Sequence, residues 1–460
     1  MKFLFVVLDN GNYIHYFPLG AAYLASVLRK AGHEVNILSQ DIHHHTDDKI
    51  TLVLDKSDYD FVGIGTIAGY YPYKKLLQVS EAINKSTKRS SFKYVLGGHM
   101  PSAEPEFFLK KTKADIVIFG EAEETILDVV NGQQWNKIKG ISYRIDEECF
   151  TNESRPLIQD LDNVPIPAYE MFPMSVYRLQ RFPNIEQNEF SASVISGRGC
   201  SFNCTFCYKI SEGIRLRNPL AVIEEIKYLK NRFGITYIDF ADDLTMSSTK
   251  HAQIFCEAFI KSGVKVHWRC EGRLNYVKKE VLQLMKEAGC VFINYGIESL
   301  DSTVLKNIRK ALNKDMIVKG IETTLEVGIS PGLNFMWGNI GDTVDTLNDE
   351  VDFLIKYDDG AQIRTIRPVT PYPGCELYNY AIEKGLIKDA EDFYENKHVN
   401  SDLVAVNFTD MPRGVMHRAL YNANVRLLAN YYEKRTNGAN KTLGNLYLKG
   451  DTNFRGFRHQ

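Results

Sequence analysis

From Lys2 to Asn131, short apolar runs alternate with stretches whose apolar positions recur at helical spacing. In order these are KFLFVVL, LGAAYLASVLRKAG, HEVNIL, FVGIGT, the helix around YKKLLQVSEAI, KYVLGG, DIVIFG and EAEETILDVV. Nearly continuous apolar strands separated by helices of this length indicate βαβ units around a parallel sheet buried on both faces. The pattern predicts a Rossmann-like, doubly wound α/β domain over residues 1–135. Open sheets of this kind bind ligands beyond the carboxyl ends of their strands. Those ends carry Asp9-Asn10-Gly11, Gly65-Thr66, Gly97-Gly98-His99 and Gly120-Glu121. Glycine there lets a ligand approach the backbone closely or makes a tight turn.

Residues 136–190 break the alternation. GISYRIDEECF has the pattern of a hairpin, and Pro165, Pro167 and Pro173 favour an extended, exposed link over a helix. Over residues 191–385 the alternation resumes with ASVIS, LAVIEEIKYLKNRFG, YIDFADD, the helix around HAQIFCEAFIKSG, VHWRC, VLQLMKEAG, VFINYG, MIVKGIETTLEVG, GLNFMWG, DEVDFLIKY and AQIRTIRP. Six strand–helix repeats fall short of the eight in a closed barrel, so a partial (β/α)6 barrel is expected. Residues 386–460 read as a small helical C-terminal region with a polar tail.

A chain of 460 residues with 44% apolar and 24% charged positions supports two or three domains. Its 55 basic and 57 acidic residues nearly cancel, which offers no broad footprint for nucleic acid or an anionic membrane. The apolar start MKFLFVVLDNGN is too short to span a membrane and lacks a signal-peptide cleavage site. Eight cysteines, three of them clustered, fit a reducing compartment, and the cytoplasm is expected.

The cluster is GRGCSFNCTFCYK, with Cys200, Cys204 and Cys207. A cubane iron–sulfur cluster bound by four thiolates is closed, whereas three leave one iron open. A zinc site would need a fourth Cys or His, and the nearest, His251 and Cys256, lie well downstream in an expected helix. Cys256, Cys270, Cys290 and Cys375 lack ligand spacing and read as small buried hydrophobes.

CSFNCTFCY resembles the signature of the radical SAM superfamily. The resemblance implies one 4Fe-4S cluster on these three cysteines and S-adenosylmethionine (SAM) at the open iron. It implies that the SAM is cleaved reductively to a 5′-deoxyadenosyl radical. It also implies SAM contacts at Phe206 and Tyr208, at Ala241 and Asp242 in IDFADDL, and at Glu298 in FINYGIES. Arg309 is placed for the SAM carboxylate, and Met336 and Trp337, after Phe335, for the adenine. The usual Gly-x-Pro-Gly-Glu-Thr appears here as GNIGDT, a departure.

The order of sheet, link and barrel is similar to that of the cobalamin-binding radical SAM enzymes, as are PLGAAYLASVLRKAGHEV, VLGGHMPSAEPE, FGEAEET, LDNVPIPAYEMFP and TPYPGCELYNYA. This resemblance implies cobalamin at Asn10, Gly11, Phe17, Thr66, Ala68, Gly69, Tyr70, Gly97, Gly98, His99 and Glu121. If Gly20 closes the usual Asp-x-His-x-x-Gly, its histidine position is Phe17, so a base-off cobalamin without a histidine ligand is expected; His15 is a rival ligand. Successive histidines of DIHHHTDD point to opposite faces of an extended chain, so a solvated loop is expected there rather than a metal site.

The activity implied is a cobalamin-dependent methyltransferase acting on an unactivated carbon, or on phosphorus, of a small-molecule or peptide substrate. A reducing partner such as flavodoxin or ferredoxin would supply electrons. Three alternatives stay open: a radical SAM cyclase or rearrangement enzyme, a radical SAM enzyme whose first domain binds no cobalamin, and a cobalamin or redox sensor. Candidate substrate-pocket residues at strand ends are Arg269, Arg273, Tyr295, Asn334, Arg364 and Arg367. These arginines suit an anionic substrate or, alternatively, local acids such as Glu271, Asp242 and Glu298.

Overall fold

A computed structural model describes residues 1–11, 16–210 and 213–453. The chain forms two compact units. The first gathers Met1–Gln180, Phe190–Thr245 and Thr370–Ser401; the second gathers Arg181–Glu189, Met246–Val369 and the segment beginning at Asp402.

The first unit is built on a seven-stranded sheet of β1 (Lys2–Val7), β2 (Glu34–Ser39), β3 (Phe61–Thr66), β4 (Lys93–Gly98), β5 (Ile116–Ile118), β6 (Ile141–Ile145) and β7 (Glu148–Thr151). Their order is β2-β1-β3-β4-β5-β6-β7. The first five strands pair in parallel, and the expected hairpin β6–β7 continues the sheet antiparallel. The order reverses between β1 and β3, which marks the switch point where such sheets open a ligand crevice. Phe3, Phe5, Val95, Ile116 and Ile118 from the strands and Ala25, Leu28, Ile126 and Val129 from the helices form one buried cluster. Near-continuous burial along β1 and β5 explains why these strands read as apolar runs rather than alternating ones.

Two local expectations change. The stretch Asp41–Asp48 is not a plain loop: helices run over Gln40–His43 and Asp47–Asp55. Gln40 is buried and its amide donates to His45 O (2.9 Å) and Asp47 Oδ1 (2.5 Å), holding the turn between them. The proline-broken link is packed rather than exposed. Leu161, Ala168, Tyr169, Phe172, Met174 and Tyr177 are all buried, in short turns where proline has stopped longer helices.

The first unit also holds β8 (Ser191–Val194), β9 (Gly197–Cys200), β10 (Gly213–Leu216) and β11 (Tyr237–Phe240). β8 and β11 are parallel, joined through the helix Pro219–Phe233. That helix begins where Asn218 caps Leu220 N ahead of a proline in the first turn, and it stops at Gly234 in the left-handed conformation. Below it, Tyr169 and Arg217 donate to the fully buried Glu225, at 2.7 and 2.6 Å.

The second unit carries β12 (His267–Gly272), β13 (Cys290–Glu298), β14 (Ser330–Trp337) and β15 (Arg367–Pro368), paired in parallel in that order. With β8 and β11 of the first unit, the chain carries the six strands expected over this region. A 31-residue helix, Arg413–Leu443, is the longest helix described in the C-terminal region. Among the described residues no helix is long and apolar enough to cross a membrane.

Candidate active site

β9 ends on Cys200 and the chain returns in β10, with Cys200 opposite Gly213. The loop between carries Cys204 and Cys207. All eight cysteines are free thiols. Cys207 N donates to Cys204 O at 3.2 Å, and Leu377 N donates to Thr205 O at 2.8 Å. Lys209 ties the loop to itself through Asn203 Oδ1 (2.7 Å) and Phe202 O.

The acids after β11 fasten the base of the loop. Asp242 accepts from Ser196 N (2.7 Å), Ser196 Oγ and Gly197 N (3.2 Å), and Asp243 accepts from Gly199 N (3.1 Å). Burial pushes Asp242 up to about 6, against the bonds from Ser196 and Gly197 that favour its charged form. Asp242 therefore holds backbone, while Ala241 beside it is exposed.

Cys207 has open solvent access on one side and protein on the others. That desolvation, with Cys204, Asp243 and Cys200 nearby, pushes its thiol up to about 11. Cys200 and Cys204 thus both lie near the Cys207 thiol. Among the described residues no three His, Cys, Asp or Glu side chains are drawn tightly enough to hold a single ion. Three neighbouring thiols on one loop fit a larger iron–sulfur group, which takes one thiolate per iron.

Phe206 is half-buried within this loop. Tyr208 follows the third cysteine and hydrogen-bonds Ser102. Its ring stands edge-on to His99, with centroids 5.9 Å apart. His99 is open on one face and walled by protein elsewhere; desolvation lowers its pKa, with Asp243 opposing.

His99 brings the loop to the carboxyl edge of the seven-stranded sheet. At that edge a Cβ on Gly98 would lie 2.1 Å from Thr66 O, and Gly98 has φ +94°. Only glycine allows β3 and β4 to end so close together. Gly65 and Gly97 add an open shelf, where an added Cβ would meet nothing or only Ile118 O at 3.6 Å. Ala68 is half-buried, Gly69 is buried, and Ile67 and Tyr71 are exposed beside them. Lys74 lies over the Tyr70 ring at 5.7 Å. At the end of β1, Asp9 accepts from Gly11 N and His44 Nδ1, both at 2.8 Å. Asn10 Oδ1 is buried there without a hydrogen-bond partner. A flat glycine shelf, exposed apolar groups and an unmatched amide oxygen suit a broad macrocycle with polar edges such as a corrin.

Two of the residues assigned to this edge have other partners. Phe17 is buried against Tyr169, Phe172 and Tyr177, with centroids 5.0, 5.2 and 5.4 Å away. Glu121 has both carboxylate oxygens engaged by Arg198, Arg215 and Ile158 N. His15 lies outside the described residues.

In the second unit Glu298 is buried on Lys310 at 3.0 Å, with φ +71°, a strained value for this residue. Arg309 is exposed. Met336 is half-buried. Trp337 is fully buried and donates to Thr343 O at 2.9 Å. The departing GNIGDT segment is a tight turn in which Asp342 accepts from Gly338 N (2.9 Å) and Asn339 N (2.8 Å).

The arginines mostly have local partners. Arg269 pairs with Glu271 (3.0 Å), Arg364 is buried on Asp358 and Asp359 (3.4 and 2.8 Å), and Arg367 pairs with Asp402 (2.9 Å) at the surface. Arg273 is buried, donating to Lys310 O and Asn275. Tyr295 is core, bonded to Thr324 at 3.1 Å, while Asn334 is exposed and donates to Asn294.

Sequence reasoning passed over Glu123, Arg198, Arg215 and Asp243. Also missed was Glu350, fully buried beside Ser299, whose pKa burial and Asp342 raise well above the ordinary value. The available signal was Arg198 in GRGC and Arg215 in IRLR, two cations flanking the cysteine loop.

Residues 194–354 match the model of the radical SAM superfamily, and residues 6–130 match that of the B12 binding domain. An uncharacterized methyltransferase of Pyrococcus horikoshii is 32% identical over 380 residues, covering 80% of this chain and 79% of the relative. The cytidylyl-2-hydroxyethylphosphonate methyltransferase of Streptomyces wedmorensis is 25% identical over 435 residues, covering 82% and 80%. The fold is also that of the radical SAM methyltransferase TsrM of Kitasatospora setae, solved with cobalamin and a [4Fe-4S] cluster. The TM-score is 0.67 at 16% identity, over 83% of this chain and 75% of that one.

Proposed function

Because the chain belongs to the radical SAM superfamily and carries a B12-binding domain, we propose that it is a cobalamin-dependent radical SAM methyltransferase. Its target is an unactivated carbon, or a phosphorus, of a small-molecule or peptide substrate. When bound, the cluster supplies the electron that cleaves SAM, and cobalamin supplies the methyl group.

One observation carries the reading. The three-cysteine loop and the glycine shelf belong to the same compact unit and meet where Tyr208 lies against His99. Cys200, Cys204 and Cys207 hold the cluster. Phe206, Tyr208, Ala241 and Asp242 line the SAM side of that loop, with Asp242 acting through the backbone it fixes. In the second unit, Glu298, Arg309 and Met336 are taken as SAM contacts from the family likeness of their segments, and Trp337 supports them from the core. Asn10, Gly11, Thr66, Ala68, Gly69, Tyr70, Gly97, Gly98 and His99 receive cobalamin. A phenylalanine at the usual histidine position, packed among three aromatic rings, supports a cobalamin with no histidine ligand. Substrate contacts are Asn334, exposed at its strand, and Arg269 and Arg273.

The methyltransferase names of the relatives and the tryptophan in one TsrM structure support a small-molecule substrate. Eight free thiols support a cytoplasmic location, with flavodoxin or ferredoxin as electron donor. The test is anaerobic reconstitution with iron, sulfide and hydroxocobalamin. The corrin spectrum should survive gel filtration, and turnover should yield deoxyadenosine together with S-adenosylhomocysteine. Deoxyadenosine without S-adenosylhomocysteine sinks the methyl-transfer reading, and loss of the corrin sinks the cobalamin reading.

A further inference from the structure

The register of β9 and β10 sets Arg198 directly opposite Arg215. Like charges facing each other across an antiparallel pair destabilise it. Here a carboxylate from another strand end resolves the conflict. Arg198 Nη1 donates to Glu121 Oε1 at 2.9 Å, Arg215 Nη1 donates to Glu121 Oε2 at 2.8 Å, and Arg198 Nη2 donates to Glu123 at 2.5 Å. Glu121 also accepts from Ile158 N at 2.8 Å. The side chains of Arg198, Arg215 and Glu121 are only 18%, 11% and 7% exposed, so solvent screens them weakly. Arg215 Nε and Nη2 are buried without partners, which leaves Glu121 as the acid that balances it.

Two guanidinium groups and two carboxylates make this network neutral. Arg198 is two residues before Cys200, and Arg215 is two residues after Gly213, the partner of Cys200. The network thus sits at the root of the cysteine loop. We propose that Glu121 is a positioning residue that neutralises the paired arginines under the loop and thereby sets the reduction potential of the cluster it carries. This rests on the cluster reading above. Reduction adds an electron to the cluster, and an uncompensated cation nearby favours the reduced state.

The test is a redox titration of the reconstituted full chain, following the reduced cluster by EPR, with iron and sulfide measured on each sample. Glu121→Gln leaves one excess positive charge and should shift the reduction equilibrium on the order of tenfold toward the reduced form, about 59 mV positive for one electron. Arg215→Met should move the potential negative, and the double variant Glu121→Gln/Arg215→Met should return it toward the parent value. A fully loaded Glu121→Gln at the parent potential overturns the proposal, as does a double variant that keeps the single variant's shift. If Glu121→Gln fails to hold a cluster, an unshifted Arg215→Met overturns it. Absence of iron and sulfide from the unaltered protein instead defeats the cluster reading before any variant is made.

Discussion

The ring of Tyr208 lies against both His99 and Gly374. The His99 centroid lies 5.9 Å away, and a Cβ on Gly374 would come within 2.5 Å of Tyr208 Cδ2 and Cε2. The residue after the third cysteine is therefore fixed by the sheet edge and by the TPYPG segment together. Desolvation keeps His99 below its ordinary pKa, so it is neutral at pH 7 beside this ring.

Gly374→Ala should disturb this arrangement. Its φ of +94° disfavours any side chain, and the new methyl would collide with the Tyr208 ring. The expected cost is about 2 kcal/mol in urea unfolding, with lowered iron content after reconstitution. An unaltered midpoint and full iron content would show that the ring has room to move.

Cys204→Ala should abolish iron retention and deoxyadenosine formation while leaving the fold intact, because Cys204 is only half-buried on a surface loop. Circular dichroism and iron analysis separate the two effects. Retention of a full cluster by this variant would refute the three-thiolate assignment.

Arg217→Met should be strongly destabilising. Glu225 is fully buried on helix Pro219–Phe233 and relies on Arg217 at 2.6 Å and Tyr169 at 2.7 Å. Removing one partner of a buried pair costs about 3–5 kcal/mol. Replacing Glu225 by Met together with Arg217 should recover much of that loss, and denaturant titration of the single and double variants measures both.

His398 should make stability pH-dependent. It is fully buried, stacked on Phe393 at 5.3 Å with Nδ1 unpartnered, and burial lowers its pKa from the ordinary 6.5 to about 4. A depressed histidine favours the folded state above the unfolded pKa, and that contribution disappears as pH falls through the folded value. The loss between pH 6.5 and 4 is about 3 kcal/mol. Compared with His398→Asn, the parent protein should lose this extra stability over that window in denaturant unfolding; parallel pH profiles would contradict it.

The strands and helices of both sheets were legible because their apolar periodicity reports burial, and the three cysteines were legible because they are contiguous. The packed link was not, since three prolines carry the same local message whether the segment is exposed or, like Tyr169 and Phe172, buried. Glu121 reads as a strand-end residue, yet its partners Arg198 and Arg215 lie far along the chain. Only the register of β9 against β10 reveals that they face one another. Trp337 ends β14 as expected, whereas Tyr295 lies three residues before the end of β13, and both side chains are core. A single residue's inward or outward direction depends on where the strand starts, which periodicity fixes loosely over short strands.

The first unit is discontinuous: its last segment, Thr370–Ser401, arrives after more than a hundred residues of the second unit have been made. Leu377, which takes the Thr205 carbonyl, and Gly374, which backs Tyr208, both belong to that late segment. On the ribosome, the cysteine loop therefore emerges long before its final supports exist. A chain stalled before residue 370 would present three thiols with the Tyr208 side of their loop unsupported.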